Sequence, residues 1–151
     1  MAQTTFSGPV KSLAGFINAG VNTTVSLTAD TSLTVAAHAG KILLCNDADG
    51  KFTLPSIVTT APTDPTSPDQ VNNVGASFFF YIETAATDLD ILTDGTDKFK
   101  GAAMVAVDDG SKKAFFPATA NDVMTLNGST KGGIVGSIVQ VTAIDAASYL
   151  V

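Results

Sequence analysis

The chain has 151 residues, of which 45% are hydrophobic and only 15% charged, and it carries a net charge of −6. That length buries one sizeable core, and a mean hydropathy of +0.30 excludes a disordered chain. All eight basic residues are Lys and none is Arg, which weighs against nucleic acid because Arg supplies the forked donor that reads phosphates and guanine edges.

The charged share lies well below the usual value of about 25%, which suits a surface covered by another protein. Cys45 is alone, so no internal disulfide forms, and Ile42-Leu43-Leu44-Cys45 marks it as a small core residue. No run approaches the 18 apolar residues of a membrane span. The first 22 residues lack a basic start followed by a long apolar run, so no secretory signal is expected. The chain is expected to stay in the cytoplasm or to be assembled into a particle there.

Residues 1–22 read as an extended arm ahead of a β domain over 23–151. Gly8, Pro9, Gly15 and Gly20 recur too often for a helix. The candidate contact residues are Phe6, Pro9, Val10, Leu13, Phe16 and Ile17, apolar or rigid positions spaced like anchors. Leu13 to Ile17 is open to a second reading as an ordinary first strand.

From Thr23 onward the pattern alternates. Thr23 to Leu27, Leu33 to Val35, Lys41 to Cys45 and Lys51 to Leu54 read as strands separated by turns at Ala29-Asp30-Thr31, Ala37 to Gly40 and Asn46 to Gly50. Turns at such short, even intervals predict an all-β sandwich or barrel, not βαβ units. Residues 56–75 form a long loop in which Pro62, Pro65 and Pro68 fall three apart. Ser67-Pro68-Asp69-Gln70 is suited to cap one helical turn there.

Ala76 to Ile82, with Phe78-Phe79-Phe80-Tyr81, reads as a strand covered on both faces. Leu89 to Leu92, Phe99 to Val107, Ala114 to Phe116 and Tyr149 to Val151 complete the strands. Met124 to Val141, with Asn127-Gly128 and Gly132-Gly133, reads as a closing meander. The expected core is Val25, Leu27, Leu33, Val35, Leu43, Phe78, Phe80, Met104, Val139 and Val141.

The residues offer no catalytic constellation. His38 is the only histidine and stands in a turn without a marked partner. The Asp47-Ala48-Asp49-Gly50 and Asp88-Leu89-Asp90 runs do not follow the calcium-loop pattern. Lys131-Gly132-Gly133 lacks the upstream glycine and the hydroxyl residue of a phosphate loop. The expectation is a non-enzyme with no cofactor and no metal.

Three stretches carry a family likeness. Thr5-Phe6-Ser7-Gly8-Pro9-Val10-Lys11-Ser12 with Gly15-Phe16 resembles the start of small virion proteins of tailed bacteriophages. His38-Ala39-Gly40-Lys41, Leu44 to Gly50 and Thr53-Leu54-Pro55 resemble their first core strands. Thr125 to Gly133 resembles their closing hairpin, although the loop at 56–75 is longer than the family pattern. The resemblance implies a capsid decoration, or cement, protein. It would sit as a homotrimer on the outer capsid surface of the virion and bind the major capsid protein through its N-terminal arm. The alternatives are a receptor-binding or fibre-tip module of the virion and a host-side β adhesion domain. A glycan-binding tip favours exposed Trp and Tyr, and this chain has no Trp and two Tyr.

Overall fold

The computed structural model describes residues 23–60, 72–106 and 112–151. The fold is all-β. Its strands are β1 (Thr24–Leu27), β2 (Thr31–Ser32), β3 (Ile42–Cys45), β4 (Lys51–Thr53), β5 (Ser77–Ile82), β6 (Leu89–Leu92), β7 (Lys98–Lys100), β8 (Ala103–Ala106), β9 (Lys112–Phe115), β10 (Val123–Leu126), β11 (Ile138–Asp145) and β12 (Ser148–Leu150). One sheet runs β1-β3-β5-β11-β12-β7, a second runs β10-β6-β4-β2, and β8 pairs with β9 alone.

The chain weaves between the two large sheets. β1, β3 and β5 fall in the first, and β2, β4 and β6 in the second. Each strand crosses to the opposite layer, so sequential members of one sheet lie parallel: β1 with β3, β3 with β5, β2 with β4, β4 with β6. Short strands make this coil possible, because each crosses one layer before a turn sends it to the other.

The period-2 pattern sets the faces. In β5, Phe78, Phe80 and Ile82 are fully buried, while Phe79 and Tyr81 are half-buried on the outer face. Leu43 and Cys45 lie beside Phe80 and Ile82, and Val139 and Val141 beside Phe80 and Phe78. The second sheet returns Phe52, Leu54, Leu89, Ile91 and Leu126 into the same cluster. Phe52 stacks on Phe80 with ring centroids 6.3 Å apart, which joins the layers at their centre.

Several expectations change. Leu33 to Val35 is not one strand: Thr34 caps a single helical turn, α1 (Val35–His38), by accepting from Ala37 N–H. The Thr34 N–H in turn donates to His38 Nδ1 at 2.9 Å, so the histidine closes a local cap. Val35 is only half-buried as a result. Val25 and Val139 are also half-buried and pack against the core from its margin. Phe99 to Val107 splits at Gly101, whose φ of +105° breaks the strand. Met104 therefore leaves the core and is 81% exposed.

Met124 to Val141 is not a meander. β10 pairs with β6 and β11 pairs with β5 and β12, so the 127–137 segment crosses between sheets. Ile134 and Val135 lie in that crossing, not in a strand. The triple-Phe strand has one fully buried face, not two.

Of the long loop, 61–71 lies outside the described residues, as does the helical turn expected near Ser67. Its neck is closed by buried Asn73, which accepts from Val58 N–H at 2.7 Å and donates to the Ser56 carbonyl at 2.8 Å. Such pairing offsets the cost of burying the amide.

Candidate functional site: an apolar groove beside a sheet edge

The arm residues Phe6, Pro9, Val10, Leu13, Phe16 and Ile17 lie outside the described residues. The surface feature that stands out is elsewhere, at the end of the sandwich where β7 meets β10. Phe99 N–H donates to the Asn121 carbonyl, and Lys98 pairs with Asp122 at 2.7 Å. Beyond this junction the β8–β9 ribbon departs and pairs with neither large sheet. Between the ribbon, β10 and the 132–140 segment lies a groove of about 910 Å³.

Its lining is mostly apolar. Met104 is 81% exposed and Phe116 76%; Val135 and Ile138 are 58% and 57% exposed. Phe115, Val123 and Ile134 are exposed as well. The register pairs Ala103 with Phe115 and Met104 with Ala114, so the ribbon carries apolar side chains on both faces. An ordinary surface scatters such residues singly; a contiguous set marks a surface that is covered in use.

Sequence reading missed this set. Met104 had the alternation of a core residue, and Ile134-Val135 looked like the start of a strand. The available signals were glycines at Gly101, Gly133 and Gly136, which isolate those residues from regular pairing, and Phe116-Pro117, which ends β9.

The titratable groups do other work. Asp97 is buried and its carboxylate accepts from Ile57 N–H at 2.8 Å; burial pushes its carboxyl above the usual range, with nearby Asp94 adding to the rise. Asp94 goes the other way. It accepts from Ser56 Oγ at 2.6 Å and from the N–H groups of Thr96 and Asp97, which hold its carboxyl below the usual range. Opposed shifts in neighbouring carboxylates are also how acid and base roles are divided in enzymes. Here both groups pin the 55–58 chain to the turn after β6, and neither lines the groove.

A stability effect follows. A lowered folded-state pKa contributes stability above the unfolded value of about 3.9, lost as pH falls through the folded value. Asp94→Asn is therefore expected to lower the melting temperature at pH 7 and to lie closer to the parent at pH 2. Melting curves across that range check it; an equal loss at both pH values would remove the charge from the explanation.

Cys45 is fully buried and burial pushes its thiol to about 12, so it is an inert core group. Among the described residues no three His, Cys, Asp or Glu side chains are grouped to hold a metal. Asp90 accepts from Thr125 Oγ1 at 2.6 Å across β6 and β10, and Asp47 serves its own turn. No described helix is long and apolar enough to cross a membrane. No family model, curated protein or solved structure matches this chain.

Proposed function

We propose that this chain is a structural virion protein that decorates a phage capsid, binding the outer surface of the major capsid protein lattice as a homotrimer. The observation that carries the reading is the exposed apolar ribbon, Met104 and Phe116 above all, on a sparsely charged β-sandwich. A free domain gains nothing from holding these side chains in water; a subunit that docks gains their burial. The phage assignment rests on the likeness of residues 5–16, 38–55 and 125–133 to small virion proteins.

The physical mechanism is linkage. A protein that binds the assembled shell and not its dissociated subunits stabilises the shell by mass action. A negative, Arg-free surface suits the outside of the particle, away from packaged DNA.

The test uses heads of the source phage that lack this chain. Purified protein is expected to bind them at hundreds of copies per particle and to raise the temperature at which they disassemble. Met104→Ser with Phe116→Ser is expected to weaken binding at least about tenfold, equivalent to about 1.4 kcal/mol, while leaving the chain's own melting curve unchanged. Binding of a handful of copies would indicate a fibre-tip module. Undiminished binding by the double variant would remove the ribbon from the interface.

A further inference from the structure

The groove opens onto an unpaired strand edge in the interior of the six-stranded sheet. Ile82 N–H donates to the Ser137 carbonyl, and Ala143 N–H donates to the Ala76 carbonyl. Pairing alternates in an antiparallel ladder, so Ser137, Val139, Val141 and Ala143 turn their backbone groups to β5. Ile138, Gln140 and Thr142 turn theirs the other way. Thr142 meets Leu150 of β12, but β12 runs along β11 only over residues 142–145. Beyond that point no described residue pairs with the N–H or C=O of Ile138 or Gln140. Both residues line the groove, together with Met104 of the ribbon and Val123 of β10. Val139 and Met124, half-buried at the margin of the core, share that lining. Unpaired strand groups beside apolar side chains form a template for one added strand: the backbone supplies affinity and the side chains supply burial.

We propose that Leu13 to Ile17 of the same chain is that strand, pairing with Ile138 and Gln140 and continuing the sheet beside β11. Leu13, Gly15 and Ile17 share one face at period 2, and Ala14 and Phe16 the other. The segment is thus free of polar side chains on both faces, as a strand between the core margin and the groove requires. The described chain begins in the right place. Thr23 accepts from Ile42 N–H, and the register runs Thr24, Ile42, Phe79, Gln140 across β1, β3, β5 and β11. The start of β1 is therefore level with Gln140. The gap beside β11 lies four strand spacings from β1, roughly 19 Å, and the seven steps from Ile17 to Thr24 extend to about 25 Å. The difference lets the connection rise over the outer face of the sheet. That route crosses Ile42, which is 41% exposed, and half-buried Phe79, and no outward side chain in this row or the next is charged. A second copy offers the same segment only at its own solution concentration, whereas a short tether holds the chain's own at an effective concentration of millimolar order. Phe6, Pro9 and Val10 remain ahead of the strand, and nothing in the proposal depends on a shell.

The experiment is amide hydrogen exchange of the full chain, resolved by NMR, with sedimentation of the same sample. The N–H groups of Val139 and Val141 face β5 in any case and serve as the reference. Those of Ile138 and Gln140 are expected to exchange as slowly as the reference, in a sample that sediments as a single chain, and to stay protected on dilution. Leu13→Asp with Ile17→Asp is expected to remove the protection of Ile138 and Gln140 and to leave that of Val139 and Val141. Cross-strand nuclear Overhauser contacts between residues 138–140 and 13–17 of the parent give the same answer where the double variant does not fold. Fast exchange of Ile138 and Gln140 in the parent, or the absence of those contacts, overturns the proposal. So does protection that needs an oligomer, which would indicate donation between copies, or protection that survives in a folded double variant.

Discussion

Phe80→Ala is expected to lower the stability of this protein by about 3–5 kcal/mol. The ring is fully buried and is stacked on Phe52 of the opposite sheet at 6.3 Å. Its strand neighbours Leu43 and Val139 approach from either side. Truncation removes the contact between layers as well as buried area, and it leaves a cavity between the sheets. For a domain of this size the loss corresponds to a fall in melting temperature of roughly 6–20 °C. Thermal unfolding followed by far-UV circular dichroism measures it. Phe79→Ala, one residue along on the half-buried outer face, is expected to cost clearly less. Equal losses would mean that the outer face is covered as completely as the core.

Gly128→Ala is the second substitution expected to have a large effect. Gly128 sits at φ +68°, and a Cβ there would stand 2.3 Å from the backbone carbonyl oxygen of Ala86. The left-handed conformation costs a non-glycine residue about 1–2 kcal/mol. The clash adds roughly 1–3 kcal/mol, because a backbone atom cannot swing aside as a side chain can. The neighbouring bond from Ala86 N–H to the Gly133 carbonyl, 2.8 Å long, would have to shift with it. Gly136→Ala separates the two contributions. Its φ is +89°, yet a Cβ there meets nothing within 4 Å, so it should show the backbone cost alone. If both variants melt alike, the close approach to Ala86 contributes nothing.

The candidate groove was hardly legible in the sequence. Met104 alternates with small neighbours as a core residue does, and only the positive φ at Gly101 turns its strand out of the sheet. Ile134 and Val135 have strand-forming side chains, yet the turn from Gly128 to Gly133 packs against Ala86 and carries them across the gap between layers. The place of β10 at the end of its sheet is invisible in any local pattern, because it depends on which strand lies next to it. That neighbour is settled by residues far away in the chain.

The sequence by itself determined that this protein is all-β, which side chains of β3 and β5 point inward, and that Cys45 is a core residue. Those properties are local: alternation, β-branched and aromatic content, and Gly- or Asn-marked turns act within a few residues of one another. Only the tertiary structure decided which sheet each strand joins, that β1, β3 and β5 run parallel, and that β10 and β11 lie in different layers. A period of two states which face of a strand is buried and is silent about its neighbour. That choice follows from how Phe52, Phe80 and Tyr149, remote in sequence, are buried together in one core.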